Sequence, residues 1–265
     1  MKTPSREFAR VRGDYLKIED AAATRIKQYV EEFRLAIARR FATVDWSIAN
    51  LREINGIAER YAEDLRNGAI TDLTTRQEKA FTKGIKQVDD VLLAQGVVPY
   101  LPYIPVQSLK NSQALASQLI TGLSNDMARR VNTEITLGLM GDMSPYQVMQ
   151  RLSSFIPPLK DAGNMTSTAF GRAEAIARTE MGRINAAATR DRLAQVAEKY
   201  KDAKKKWKAT HKLNSRPEHQ AQEELGPVPM DYEFDVNGVA CDGPYDPRLP
   251  AGDVINCGCT LQLIM

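Results

Sequence analysis

Apolar residues recur at steps of three or four along most of the first two thirds of the chain. Ile26, Val30, Phe33, Ile37, Phe41 and Val44 form one series, and Ile48, Leu51, Ile54, Ala58, Tyr61 and Leu65 continue it. Such spacing stacks side chains on one face of an α-helix. Residues 14–55 contain neither Pro nor Gly, which predicts one long helix or a tight helical pair. Asn67-Gly68 predicts a stop. A further helix is expected from Thr75 to Gln95, carrying Phe81, Ile85, Val88 and Leu92, with Gly96 just beyond it.

The segment GVVPYLPYIP, residues 96–105, has three Pro in ten residues and cannot be a helix interior. It reads as an extended connector, either packed on its own domain or serving as a strap for a partner through Tyr100, Tyr103 and Ile104. Residues 108–140 return to the helical period with Leu115, Leu119, Leu123, Met127, Val131, Ile135 and Leu139, and Gly141-Asp142 stops them. In Ser144-Pro145-Tyr146-Gln147, Ser144 suits the N-cap, Pro145 the first helical position and Gln147 the capping box. Pro157-Pro158 closes that short helix, residues 160–168 read as a loop, and 169–200 as an Ala-rich helix with Ile176, Ile184, Val196 and Tyr200 inward.

Beyond residue 200 Pro and Gly become dense, so long helices are excluded there. Short strands fit Trp207–Thr210, Tyr232–Val236 and Thr260–Ile264. The fold class expected is a mainly α N-terminal two thirds followed by a small irregular α+β C-terminal domain held by a metal. The segments are 1–105, a helical N-terminal region; 106–168, a helical connection; and 169–265, the C-terminal domain.

Composition narrows the function. The chain has 265 residues, 43% hydrophobic and 26% charged, as a soluble globular protein does. Thirty-six Lys and Arg against 33 Asp and Glu leave a net charge of +3, too small to argue nucleic-acid binding from bulk charge. No apolar run approaches the roughly 18 residues of a membrane span. The basic N-terminus has no apolar stretch behind it and does not read as a secretory signal.

All three Cys and both His lie from residue 211 onward: His211, His219, Cys241, Cys257 and Cys259. An odd number of Cys without a secretory signal argues against a disulfide framework. His219-x21-Cys241-x15-Cys257-x-Cys259 offers one imidazole and three thiolates. Tetrahedral zinc takes such a set, with Zn–S at about 2.3 Å and Zn–N at about 2.0–2.1 Å. Gly258 would let the two flanking thiolates share an ion, and His211 is a spare ligand. Buried free thiols and a redox site are the alternatives.

Arg178, Thr179 and Glu180 share one helical turn. They read as a polar site facing Arg216, or as a clamp in which Glu180 accepts from Arg216. The run from Lys199 to Lys208 holds six Lys against one Asp. Lys204, Lys205, Lys206 and Lys208 read as a DNA-facing patch or as a solvated helix end. No Gly-x-Ser-x-Gly nucleophile motif and no phosphate loop is present, which leaves a serine hydrolase and a phosphate-loop enzyme without support. A metal-dependent nuclease-like or transferase-like domain using Arg178, Glu180, His211 and His219 is one reading, and a DNA-binding protein another.

Five elements occur in order over the last third: AIARTEMGRINAAATR (175–190), KKWKATHKLNSRPEHQ (205–220), VPMDYEF (228–234), and the Asn-Cys-Gly-Cys within PAGDVINCGCTLQL (250–263), with Arg216 and His219 forming the R-x-x-H element. This order resembles the phage head morphogenesis family, the Mu protein F-like minor capsid proteins. LITGLSNDMARRVNTEITLGLMGDMSPYQVMQRL (119–152) is similar to the helical run preceding that domain. Three departures stand out: His211 replaces a commonly acidic residue, N-S-R-P-E-H keeps only the second Arg of R-x-R-x-x-H, and Asn-Cys-Gly-Cys lacks the usual Arg.

The resemblance implies a low-copy structural virion protein inside the head near the portal vertex, present in the host cytoplasm during assembly. Its partners would be the portal protein, the major capsid protein and packaged DNA, with no membrane and no small-molecule substrate. It would aid head assembly, DNA packaging or genome ejection. The resemblance does not reach residues 1–105, but their long amphipathic stripes and Pro-rich strap exceed what a small terminal domain can cover, so they are expected to dock to portal or capsid, leaving a C-terminal domain able to fold without them.

Overall fold

The structure is a computed structural model describing residues 3–141, 143–162, 167–210 and 215–265. Among these residues the helices are α1 (Pro4–Phe41), α2 (Leu51–Ala94), α3 (Gln107–Met140), α4 (Pro145–Leu152), α5 (Ala169–Lys199), α6 (Pro217–Glu224) and α7 (Ala251–Val254). The strands are β1 (Lys204–Lys208), β2 (Pro227–Pro229), β3 (Phe234–Val236), β4 (Val239–Cys241) and β5 (Thr260–Ile264). The molecule is thus mainly helical with a small sheet-containing C-terminal region.

Packing divides the chain into two units. The first comprises Met1–Asp20, Thr75–Gln113 and Arg178–Met265, the second Ala21–Thr74 and Ala114–Ala177. Both are discontinuous in sequence, and neither follows the segment limits at 105 and 168.

In the second unit the apolar stripe behaves as its period requires. Ile26, Val30, Phe33, Ile37, Phe41, Ile54, Ala58 and Leu65 are all buried. The continuous stripe resolves into a helical pair, broken after Phe41 and restarted at Leu51 through a single 3₁₀ turn. The side chain of Ile48 lies outside the described set. The stop expected at Asn67-Gly68 is not one, because α2 runs on to Ala94. A Cβ on Gly68 would stand 2.6 Å from the Tyr29 ring, so this glycine lets α1 and α2 approach closely. In α3 the early stripe is displaced by one position. Leu119 is exposed, and Leu109, Ala116 and Ile120 are buried before Leu123, Met127, Val131 and Ile135 take over. Ser144 caps α4 as its sequence predicts: its Oγ accepts from Gln147 N–H, Gln147 Oε1 accepts from Ser144 N–H, and Pro145 opens the helix.

In the first unit β1 is the centre of a three-stranded antiparallel sheet ordered β2-β1-β5. β5 occupies the predicted residues 260–264, with Lys206 opposite Gln262 and Trp207 opposite Leu261. β3 and β4 form a hairpin whose turn residues, Asn237 at φ 55° and Gly238 at φ 80°, are both left-handed. This is the turn that an Asn-Gly pair favours.

The core of this unit joins Trp207, Phe234, Val236, Leu261 and Leu263 to Phe8 of α1, to Val88, Val91 and Leu92 of α2, and to Leu193 and Val196 of α5. Buried Gln87 on α2 donates to Thr260 Oγ1 at 3.0 Å and to Leu261 O at 2.8 Å, and Arg12 on α1 donates to Gly258 O. The C-terminal sheet therefore shares its core with segments of residues 1–105. This shared core runs against the expectation that it folds without them. Removing those segments would uncover its apolar face and its buried acceptors.

Candidate metal centre

His219, Cys257 and Cys259 converge in the first unit, each buried, with their ligand atoms all within 4.8 Å of one another. His219 sits in the first turn of α6, where Pro217 starts the helix after Arg216. The two cysteines flank Gly258 just ahead of β5. A Cβ on Gly258 would lie 2.4 Å from Thr210 Cγ2, so the glycine is needed for close packing at this point.

Both sulfurs stand 3.5 Å from His219 Nδ1. The other ring nitrogen, Nε2, has no hydrogen-bond partner and lies 3.8 Å from Asp253 Oδ1. Asn237 donates to both Asp253 oxygens, at 3.1 and 3.3 Å. Trp207 packs edge-on against the imidazole, with ring centroids 5.5 Å apart. The thiols are inequivalent. A hydrogen bond from the Cys257 thiol and, against the cost of burial, the His219 ring favour the Cys259 thiolate. The same hydrogen bond, and then burial, push Cys257 upward.

Cys241 is not part of this group, which corrects the four-ligand set. It lies opposite Phe234 in the β3–β4 ladder, and burial pushes its thiol up to about 11. A thiol that resists ionisation in an apolar core packs as a small hydrophobe. His211 lies outside the described residues.

The Arg178–Glu180–Arg216 clamp is not formed either. Arg178 donates to Glu19 at 3.1 Å and Asp20 at 2.7 Å, Glu180 pairs with Arg183 at 3.2 Å one turn along α5, and Arg216 donates to Ile255 O at 2.8 Å. The helical pitch explains this: residues 178 and 180 project about 200° apart, so one cannot serve the other's partner. Thr179 makes the link to the terminal loop instead, its Oγ1 accepting from Asn256 N–H at 3.0 Å. Burial raises the Glu180 pKa, against the pull of Arg183.

Lys199 ends α5, but Lys204–Lys208 form the strand β1, so their side chains alternate. Lys205 is buried, donates to Asp242 O at 3.1 Å and stands 5.2 Å over the Phe234 ring. Lys208 pairs with Glu223. Lys204 is exposed and Lys206 half-buried, and these two keep their charge toward solvent. A cleft of about 1140 Å³ in this unit is lined by Arg190, Tyr200, Lys205 and Met230 among others, and none of the three converging donors lines it.

Sequence reasoning missed three features that shape this region. Gly182 leaves room for buried Tyr245, whose hydroxyl oxygen would be 2.1 Å from a Cβ there. Asp253 faces the imidazole, and Asn237-Gly238 forms the hairpin turn. Only the Asn-Gly pair carried a local signal. The other two depend on contacts distant in sequence.

A family model described as phage Mu protein F like protein matches residues 129–262. Among curated proteins, the NAD(+)--arginine ADP-ribosyltransferase EFV of Enterococcus faecalis is 25% identical over 250 residues, covering 89% of this chain and 47% of that protein. The chain thus spans about half the length of this curated relative. No solved structure matches it.

Proposed function

The chain belongs to the phage Mu protein F-like family, a family of phage head morphogenesis, and from that premise we propose that it is a structural, non-enzymatic head component acting at the portal vertex. The observation carrying this reading is the extent of the family match, which runs from within α3 to β5 and takes in every terminal motif noted in the sequence. Portal and major capsid protein are the proposed partners, with roles in assembly, packaging or ejection. No described helix is long and apolar enough to cross a membrane.

The strap supplies a contact surface for a protein partner. Ile104 is buried, and Arg192 holds Pro102 O at 2.9 Å, so the segment is pinned to its own unit. Val98, Tyr100 and Tyr103 are 66%, 85% and 79% exposed. Aromatic side chains held out on an anchored backbone lose little conformational entropy on binding, which suits them to interfaces. Of the two sequence readings, a strap that is both packed and partner-facing fits best.

The transferase name belongs to a protein about twice this length, and an enzyme remains the reading to be discriminated. A phage carrying a nonsense mutation in this gene tests the proposal. Heads should be aberrant or empty, and expression of the wild-type chain should restore them. Changing Tyr100 and Tyr103 to Ser should lower incorporation into heads at least several-fold without changing the melting temperature. Normal heads from the null phage would reject the assembly role. Rescue by wild type but not by a Glu180→Gln variant that folds and incorporates normally would favour an enzyme.

A further inference from the structure

We propose that His219 Nδ1, Cys257 Sγ and Cys259 Sγ together bind one zinc ion, that Asp253, braced by Asn237, positions the imidazole, and that Cys241 is not a ligand. The proposal concerns the terminal domain alone and stands whether or not the head-assembly reading does.

Donor spacing is the first ground. For tetrahedral zinc, the bond lengths to sulfur and imidazole nitrogen put those two donor atoms about 3.5 Å apart. Both observed Sγ–Nδ1 separations are 3.5 Å. Thiolate and imidazole are also the donor types that zinc prefers.

The orphaned ring nitrogen is the second ground. His219 is 2% exposed, and its Nε2 has no hydrogen-bond partner. If Nδ1 gives its lone pair to a metal, the ring proton resides on Nε2, facing Asp253 Oδ1 at 3.8 Å. That separation is longer than a hydrogen bond, and a proton on Nε2 would face the carboxylate. Metal-bound imidazoles are commonly oriented by such a carboxylate, which fixes the tautomer and raises ligand basicity. Asp253 is itself buried and fixed from behind by Asn237 Nδ2. Asn237 occupies the left-handed hairpin turn, so the β3–β4 hairpin, α7, α6 and the loop before β5 all meet at this one point.

Location is the third ground. The donors join two segments far apart in sequence, α6 and the loop before β5, as a staple would. All three donors are buried and none lines the nearby cleft, and three protein donors leave the fourth position of a tetrahedral ion unfilled by those side chains.

The test uses the full chain and zinc alone. Elemental analysis after dialysis against zinc should give close to one ion per chain. Cys257→Ser, Cys259→Ser and His219→Ala should each abolish tight binding, and Cys241→Ser should retain it. Asp253→Asn should weaken zinc affinity about 10–100-fold at unchanged stoichiometry, with Asp253→Glu recovering part of the loss. A Co(II)-substituted wild-type protein should show thiolate-to-metal charge transfer with the intensity of two thiolates, a readout that needs no variant to fold. Absence of bound metal, or a three-thiolate spectrum together with metal loss in Cys241→Ser, overturns the site. Unchanged affinity in Asp253→Asn overturns the role of the carboxylate.

Discussion

Asp246 accepts from Asp242 N–H at 2.8 Å, Arg248 N–H at 2.9 Å, Arg248 Nε at 3.0 Å and Arg248 Nη2 at 2.9 Å. Burial alone would raise its pKa, but these bonds outweigh that effect and hold it at about 2, below the ordinary 3.8. The folded state therefore binds fewer protons than the unfolded chain between those values. The stability contributed by Asp246 is present above the unfolded pKa and is lost as pH falls through the folded one. Asp246→Asn should lower stability near pH 7 by about 1 kcal/mol once solvent screening is discounted. In urea titrations its gap to wild type should close between about pH 4 and pH 2. A gap independent of pH would contradict the assignment.

Gly84 is a second residue-scale case. Alanine is worth about 1 kcal/mol over glycine in a helix interior, but a Cβ here would lie 2.4 Å from Asn185 O and 2.8 Å from Ala188 Cβ. Gly84→Ala should destabilise by about 1–3 kcal/mol in chemical denaturation. Gly122→Ala, with nothing within 4 Å of its Cβ, should stabilise by about 0.5–1 kcal/mol. Neither sign was legible in the sequence, because a glycine that keeps two helices close and one that does nothing look alike without the partner helix.

At the scale of elements, periodicity and capping chemistry are local and were legible. The Ser144 box, the end of α2 before Gly96 and the limits of β5 follow from neighbouring residues. The lysine run did not follow, because alternating Lys and Trp fits a strand only once β2 and β5 are there to flank it. That strand changes what the run can do. Changing Lys204 and Lys206 to Gln should reduce the salt dependence of any DNA binding by at most about two units in log–log slope. Lys205→Gln should act through stability, since Lys205 faces Asp242 O and the Phe234 ring. A slope change on substituting Lys205 alone, with stability intact, would contradict this division.

The whole molecule is less divisible than its sequence suggests. The change in Pro and Gly density near residue 200 marks a real change of structure, but not an independent folding unit, because Phe8, Val88, Val91 and Leu92 belong to the same core as Trp207 and Leu261. A fragment of residues 169–265 should remain unfolded by circular dichroism and amide dispersion even with zinc. Adding back residues 1–20 and 75–113 on a single designed chain should restore the sheet. The candidate site was legible in part for a related reason. Residue type and spacing singled out His219, Cys257 and Cys259, but Cys241 shares their chemistry without their location. Asp253 shares their location without any feature in the sequence that sets it apart from other acids.

The central claim is that this chain is a component of the phage head. It is tested most directly by cryo-electron microscopy of intact DNA-filled particles, with peptide mass spectrometry of the same preparation. The chain should be present at low copy, with density for its helical units inside the head against the portal. Its absence from purified heads, or density repeated across the whole capsid lattice, would contradict the account.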